Sequence, residues 1–363
     1  MISATAEISV SALQHNLARV RAFAPHSQVL AVLKANAYGH GMSRTAKHLD
    51  NADAFGVARI GEALRLREQG ITKSVVLMEG FFEAEEVYDL VEYGFETVVQ
   101  NQHQLDAIVY SKLRKPIKVW LKIDTGMHRL GIEPEQFEHF YRTLVNSPNV
   151  LKPIVVMSHF ACADEHDNPF NQQQMQVFDG CMADTTHSAA PPLLSLANSA
   201  AVVNYPSSHH NWVRPGIMLY GISPVAEHIG QKYGLQPAMA MKSKLIAVRK
   251  IKKDEAVGYG SAWRSHDETF IGVVAIGYGD GYPRHAPNGT PVLVNGRQVP
   301  LVGRVSMDMI TVDLGKQSHD KIGDEVLLWG AELPIEVVAE KAGTIAYQLI
   351  CNITRRVNLH YVD

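Results

Sequence analysis

Most of the amino-terminal part of the chain repeats one pattern, a short apolar run followed by an amphipathic stretch. The apolar runs predict strands buried on both faces, and the stretches between them predict helices. Roughly eight strands in alternation with helices favour a closed (β/α)8 TIM-type barrel, with an open doubly wound sheet as the alternative. The predicted strands cover residues 29–34, 54–58, 74–78, 97–100, 118–124, 154–160, 193–198 and 212–218.

Helix boundaries are predicted from capping residues. The segment Ser11-Ala-Leu-Gln14 predicts a capping box at the start of a helix, after a short strand at residues 7–10. Helices over 62–69 and 84–93 are each followed by a glycine, which is the residue that best tolerates the left-handed backbone at a helix end.

After about residue 237 the pattern changes to valine-rich runs with little helix between them, which predicts a mainly antiparallel β domain. Asn295-Gly296 predicts a type I′ hairpin, a helix is expected near 335–341, and strands follow it. We place the barrel at 9–230 and the β domain at 231–363, with residues 1–8 as a strand that joins the latter. The predicted strands of this domain are 244–248, 270–276, 291–294, 310–314 and 325–329.

Composition limits the class of protein. The chain has 363 residues, of which 46% are hydrophobic and 20% charged, so it can bury a large core in two domains. A net charge of −3 without long single-sign runs argues against a nucleic-acid or membrane partner. Three cysteines without Cys-x-x-Cys spacing argue against disulfides and a metal site. With no secretory signal or membrane-length apolar run, we expect a cytoplasmic protein.

Lys34 is the first candidate for chemistry, because it ends an apolar strand just before the turn Ala-Asn-Ala-Tyr-Gly-His-Gly. Burial lowers the pKa of a lysine and frees its amine to condense with an aldehyde such as pyridoxal phosphate. A lysine whose charged end simply reaches solvent at the end of a strand is the alternative.

Other polar residues also end the predicted barrel strands. In a (β/α)8 barrel the active site is built at these carboxyl ends, so an amine, an imidazole and two guanidinium groups on one rim predict a site rather than solvated loops. The residues at the predicted strand ends are Lys34, Lys122, Asp124, Arg129, Ser158, His159, Asn198, Ser199 and Arg214.

This set suits a phosphorylated aldehyde. Ser199 and the amides near Gly216 and Ile217 could bind a phosphate, and Tyr38 could add a phenolic donor, although such residues are also common in caps and turns. Arginine does not give up its proton, so a pyridine nitrogen held by Arg214 would stay unprotonated, which favours rapid reprotonation of a carbanion. A structural salt bridge is the alternative for this arginine.

The segment from Lys34 to Gly41 and the block Trp212-Val-Arg-Pro-Gly216 resemble the motifs of bacterial alanine racemases, and the resemblance continues along almost the whole chain. It implies interconversion of L- and D-alanine through an external aldimine of pyridoxal phosphate, for peptidoglycan or for D-alanine catabolism. It also implies a head-to-tail homodimer in which Lys34 serves one face of Cα and Tyr259 of the partner subunit serves the other.

The resemblance assigns further roles. Asn198, His159 and Tyr347 would bind the cofactor, Tyr347 at its phosphate, and Arg129 would hold the substrate carboxylate. Lys122 matches a lysine that is often carbamylated in the family. Two groups complete the assignment: Met307 and Asp308 from the partner segment at the substrate, and Asp164, Tyr278, Arg284 and Arg304 along the access route.

Three other readings remain open from sequence. A pyridoxal-phosphate-dependent decarboxylase of basic amino acids would hold the pyridine nitrogen with an acidic residue and use a cysteine, which Arg214 and the lack of a suitable cysteine motif oppose. A non-catalytic pyridoxal-phosphate-binding homeostasis protein would lack the β domain and Tyr259. A broad-specificity racemase is commonly exported. Within the favoured reading, some turnover of serine is expected because a pocket discriminates one hydroxyl only modestly.

Overall fold

A computed structural model describes residues 4–185 and 191–363, so the first three residues of the predicted strand at 1–8 lie outside the described part. The chain opens with strand β1 (Thr5–Ser9), which runs directly into helix α1 (Val10–Phe23). Strand β1 belongs to the sheet of the carboxyl-terminal part, where it lies between two later strands.

The predicted cap of α1 at Ser11 is wrong. Ser9 is the N-cap, and its hydroxyl accepts a hydrogen bond from the Ala12 backbone N–H at 3.1 Å. The reason is that Ser9 has the extended backbone that an N-cap requires, whereas Ser11 already lies inside the helix.

The predicted barrel is confirmed. Its eight strands are all parallel. From β2 to β8 each strand pairs with the next along the chain, and β9 pairs with β2. A parallel bridge between Asn198 and Arg214 joins the two ends of the sheet and closes it. The strands are β2 (Gln28–Val32), β3 (Ala54–Val57), β4 (Val75–Leu77), β5 (Phe95–Val99), β6 (Ile117–Lys122), β7 (Val150–Met157), β8 (Leu193–Ser195) and β9 (Trp212–Val213).

Helices cover the outside of the barrel. The two predicted helix ends at Gly70 and Gly94 are confirmed, since both glycines have left-handed backbones with φ of 80° and 64°. None of the helices in the described residues has the length and apolar composition needed to cross a bilayer. The helices are α2 (Met42–His48), α3 (Ile60–Glu68), α4 (Glu86–Tyr93), α5 (Gln102–Tyr110), α6 (Phe137–Asn146), α7 (Pro169–Met182) and α8 (Ser199–Asn204).

The interior of the barrel is filled with side chains. Leu30, Val98, Trp120 and Trp212 belong to one buried cluster, and the two tryptophan rings meet edge to face with centroids 5.3 Å apart. The Trp120 indole N–H donates to the buried Glu96 carboxylate at 2.7 Å. Because the centre is packed, a binding site can form only at an end of the barrel.

The carboxyl-terminal part is the predicted mainly antiparallel β domain. Strand β10 is longer than predicted because it pairs with β1, β13 and β17 at different points along its length. The strands and helices of the β domain are β10 (Met239–Ile251), β11 (Ala256–Val257), β12 (Trp263–Arg264), β13 (Thr269–Val274), β14 (Pro291–Val294), β15 (Arg297–Pro300), β16 (Ile310–Gly315), β17 (Glu325–Trp329), α9 (Ile335–Lys341), α10 (Ala346–Cys351) and β18 (Asn358–Val362).

Three details of this domain bear on the predictions. The hairpin between β14 and β15 is confirmed, with φ of 50° at Asn295 and 77° at Gly296 as a type I′ turn requires. Helix α9 matches its predicted bounds. Helix α10 was not predicted, and β1 pairs in parallel with β18, so the sheet is not purely antiparallel.

Candidate active site

A cavity of about 430 Å³ opens at the carboxyl ends of the barrel strands. Its wall is completed by helix α10, which the β domain places over the barrel mouth. The predicted site residues that line this cavity are Lys34, Tyr38, Arg129, His159, Asp164, Asn198, Ser199, Arg214, Gly216, Ile217 and Tyr347.

Strand β2 ends at Val32, and Lys34 lies two residues later, at the start of a left-handed helical turn. The four residues that follow it, Ala35 to Tyr38, have φ values of 53°, 56°, 54° and 51°. This conformation costs an L-residue roughly 1–2 kcal/mol, so the surroundings must hold it. The Asn36 side chain accepts from the Met42 N–H at 3.0 Å, and the Ala35 N–H donates to the Glu62 carboxylate at 2.8 Å.

The amine of Lys34 is free to react. It is partly buried, and within residues 4–185 and 191–363 its Nζ has no hydrogen bond or salt bridge. Burial lowers the pKa of Lys34, and the nearby Arg129 guanidinium lowers it further. A larger neutral fraction makes this amine a better nucleophile than a surface lysine.

Arg214 is buried, and all but one of its nitrogens have partners. One terminal nitrogen donates to the Ser195 hydroxyl at 2.7 Å; the other donates to the Ser158 carbonyl at 2.5 Å and to the Leu196 carbonyl and His159 Nδ1 at 3.3 Å. Its Nε has no partner among the described residues. A buried N–H donor is thus left available in a residue that lines the cavity.

The same contact fixes the state of His159. A guanidinium can only donate, so His159 Nδ1 accepts and its other nitrogen carries the proton. Burial and then the Arg214 charge hold the pKa of His159 well below its ordinary value. This imidazole is therefore neutral near pH 7.

Hydroxyl groups and backbone amides gather where α8 begins. The Gly216 N–H donates to the Ser199 hydroxyl at 2.8 Å, and a Cβ at Gly216 would lie only 2.5 Å from the Tyr38 hydroxyl oxygen. The Tyr38 ring stacks on Tyr220 with centroids 4.9 Å apart and lies 6.0 Å from Tyr347. Burial raises the pKa of both Tyr38 and Tyr347, so their phenols stay protonated and can donate.

Among the predicted cavity residues, Asn198 also has a structural role, and Arg129 lies on a stabilised loop. Asn198 caps α8, where its side-chain oxygen accepts from the Ala201 N–H at 3.0 Å. Arg129 is exposed at the end of a loop that Asp124 stabilises by accepting the N–H groups of Gly126 and His128.

A second cavity, of about 410 Å³, lies in the β domain, and among the described residues it shares no lining residue with the first. It brings together the predicted residues Tyr259, Arg304, Met307 and Asp308. Tyr259 lies at the tip of the ribbon formed by β11 and β12, and 71% of it is exposed. The two predicted groups are thus separate within one chain.

Tyr278 adjoins the second cavity, since its N–H donates to the carbonyl of Ser306 at 3.0 Å. Arg284 is exposed and lines neither cavity.

Lys122 ends strand β6. It is buried and lines neither of the two cavities. Burial, with the charges of Arg214, Arg129 and Lys34, lowers its pKa to about 8.

Three residues near the first site were missed from the sequence. Cys351 lines the cavity through the unpredicted helix α10, and burial raises the pKa of its thiol. Ser195 anchors Arg214, and Glu62 anchors the turn after Lys34. An acidic residue in the first turn of a helix was the one available signal for Glu62, but that signal indicates only a cap.

Known proteins combine two domains that match the two parts of this chain. The model of the alanine racemase N-terminal domain matches residues 8–224, and that of the C-terminal domain matches 238–361. Curated alanine racemases of Shewanella woodyi and Vibrio parahaemolyticus are 56% and 53% identical to the chain, over 97% and 99% of both proteins. A crystal structure of the biosynthetic alanine racemase from Pseudomonas aeruginosa superposes with a TM-score of 0.95, at 42% identity and full coverage of both chains.

The fold is a parallel barrel followed by a mainly antiparallel β domain, with a cavity at the barrel mouth under a helix from the β domain. The chain belongs to the alanine racemase family. Membership of this family makes it a racemase, an enzyme of the isomerase class.

Proposed function

We propose that the chain interconverts L- and D-alanine with pyridoxal 5′-phosphate in the first cavity. The observation that carries the proposal is the unpartnered, buried Nε of Arg214 in the same cavity as the unpaired amine of Lys34. Lys34 would hold the aldehyde carbon, Arg214 Nε would donate to the pyridine nitrogen, and the hydroxyls of Tyr38, Ser199 and Tyr347 would bind the phosphate.

The remaining predicted cofactor contacts fit the same placement. The Ile217 backbone amide would add a donor for phosphate beside Ser199, and the Gly216 N–H, which donates to the Ser199 hydroxyl, would add another by turning to the phosphate. His159 and Asn198 line the same cavity and would also contact the cofactor. The bound cofactor supplies electron withdrawal, which makes the proton on the substrate Cα removable.

Racemisation needs proton transfer on both faces of Cα, and we assign one face to Lys34. The other is assigned to Tyr259 of the partner subunit, because the two residues line separate cavities within one chain. A homodimer that places the second cavity of one copy over the first cavity of the other would complete the site. The exposed Tyr259 and Met307 are residues that such an interface would cover.

Arg214 would keep the pyridine nitrogen unprotonated, because a guanidinium does not release its proton. The ring is then a weaker electron sink, and prompt return of the proton is favoured over side reactions. Arg129 would hold the substrate carboxylate, and Met307 and Asp308 of the partner subunit would contact the substrate. Tyr347 and Met307 would crowd the side-chain pocket and limit it to alanine and, to a small extent, serine.

Further proposals complete the description. Asp164 in the first cavity and Arg304 in the second, with Tyr278 and Arg284, would line the access route across the dimer. We keep the domain division at 9–230 and 231–363, and we place the enzyme in the cytoplasm. Its product would serve peptidoglycan synthesis or D-alanine catabolism, since both roles need the same site.

The test is a coupled assay for D-alanine from L-alanine by purified protein, with L-serine, L-lysine and L-ornithine alongside. Rapid turnover largely confined to alanine is expected. Release of carbon dioxide from a basic amino acid would move the assignment to a decarboxylase, and inertness with bound cofactor would favour a binding protein.

Variants test the two-base assignment. Lys34→Ala should lose both activity and the visible absorbance of the lysine-bound cofactor. Tyr259→Ala should keep the cofactor and lose racemisation, whereas Tyr110→Ala, at a tyrosine that is 80% exposed, should change neither. Full racemase activity in Tyr259→Ala would refute the role of the tyrosine.

A further inference from the structure

Three consecutive strand-loop-helix units of the barrel share one hydrogen-bond arrangement in the loop after the strand. A side-chain oxygen in the first turn of the following helix accepts a backbone N–H located four residues earlier. The pairs are Glu62 Oε2 with the Ala58 N–H at 2.8 Å, Glu86 Oε2 with the Phe82 N–H at 2.7 Å, and Gln104 Oε1 with the Gln100 N–H at 3.0 Å. The amide of Gln104 shows that a single oxygen is enough for this arrangement.

Glu62 differs from the other two because its second oxygen accepts a backbone N–H of the preceding unit. The Gln104 side chain also bonds the preceding unit, but there its amide nitrogen donates to the Glu79 and Phe81 carbonyls. Oε1 accepts the Ala35 N–H at 2.8 Å, and that N–H belongs to the peptide bond between Lys34 and Ala35. One carboxylate therefore bonds both its own loop and the backbone that carries the lysine amine. Glutamine could not accept at both places, since it has only one acceptor oxygen.

The hydrogen bond from the Ala35 N–H to Glu62 lies in a backbone segment with an unfavourable conformation. Ala35 is the first of the four left-handed residues after Lys34, with φ of 53°. A hydrogen bond to a charged acceptor is stronger than one between neutral groups, so it can hold a conformation that the residue itself disfavours. Its loss would allow the turn to relax and the Lys34 amine to leave its orientation toward the cavity.

We propose that Glu62 is a positioning residue for the reactive lysine, acting through the peptide bond between Lys34 and Ala35. The proposal rests on the proposed function of Lys34 as the residue that carries the cofactor and moves a proton. Glu62 does not line the cavity and would orient the amine through this peptide bond. Its charge also raises the pKa of Lys34, and the variant Glu62→Asp keeps that charge.

The experiment compares Glu62→Gln with Glu86→Gln as a matched control. Both changes leave one oxygen to close the local loop, as Gln104 does, but only Glu62→Gln removes the acceptor of the Ala35 N–H. Hydrogen exchange of the peptide that spans residues 34–41 should rise in Glu62→Gln and stay unchanged in Glu86→Gln. The kcat for alanine should fall about 10- to 100-fold with little change in KM, as expected for loss of one charge-assisted hydrogen bond.

Glu62→Asp provides a second variant in case Glu62→Gln folds poorly. It keeps the charge at the helix start, but the shorter side chain cannot span both loops, so the same rise in exchange and loss of kcat are expected. Unchanged exchange at 34–41 in either folded variant, or equal losses of kcat in the Glu62 and Glu86 variants, would overturn the proposal. If the unaltered enzyme failed to racemise alanine, the proposed function would fall, while the exchange measurement would still decide the role of Glu62.

Discussion

Lys122 gives a prediction whose sign depends on its chemical state. The side chain is only 6% exposed, and its burial beside Arg214, Arg129 and Lys34 lowers its pKa from 10.5 to about 8. A fall of that size corresponds to about 3 kcal/mol against the ammonium form in the folded chain. For an unmodified lysine this cost is full below pH 8, and stability rises as the pH increases from about 8 to 10.5.

Carbamylation would make the contribution of Lys122 to stability favourable, because it replaces a cation among three cations with an anion. We therefore expect Lys122→Met to destabilise the enzyme at pH 7 in bicarbonate buffer, with a lower thermal midpoint and lower activity. An unmodified Lys122 would give the opposite result, a rise of several degrees, since the substitution would remove a buried, unfavourable charge.

The measurement is thermal unfolding of the unaltered enzyme and of Lys122→Met in buffers with and without bicarbonate. Incorporation of isotopically labelled carbon dioxide is measured in parallel. Lys118→Met is the control, because Lys118 lies on the same strand but pairs with the Glu96 carboxylate at 3.5 Å. Its effect should not depend on bicarbonate. Stabilisation by Lys122→Met without any label at the lysine would refute the carbamylation hypothesis.

Two other substitutions test the cavity. Gly216→Ala would place a Cβ 2.5 Å from the Tyr38 hydroxyl oxygen, so the affinity for pyridoxal phosphate should fall roughly 10-fold or more in a titration of the apoenzyme. Ser195→Ala removes an acceptor from the buried Arg214 guanidinium and should cost about 1–3 kcal/mol of stability together with cofactor affinity. Ser158→Ala, whose hydroxyl does not contact the guanidinium, should lower stability but leave cofactor affinity unchanged; equal losses of affinity in both serine variants would contradict the reasoning.

The barrel could be predicted from the sequence because a strand buried on both faces leaves a continuous apolar run, and the helix after it leaves a different period. The hairpin at Asn295-Gly296 was equally predictable, since the turn type requires those residues. Helix α10 was missed because it is a six-residue segment held by its position over the barrel mouth rather than by its own pattern.

The site was less accessible to sequence reasoning where it depends on contacts between distant segments. Asn36 is the only residue of Ala35-Asn-Ala-Tyr38 whose type favours a left-handed backbone, so the sequence does not indicate four such residues in succession. The link from Glu62 to this turn joins residues 27 positions apart. The sequence also does not show that Arg214 Nε lacks a partner, because this depends on the groups that its other nitrogens contact.

The division of the predicted residues between two cavities in one chain has a consequence for genetics. Lys34 lines one cavity and Tyr259 the other, so in a homodimer each complete site would draw on two copies of the gene product. Two inactive alleles, one altered at each position, could then complement each other in a single cell. A mixed dimer would contain one site with both defects and one with neither.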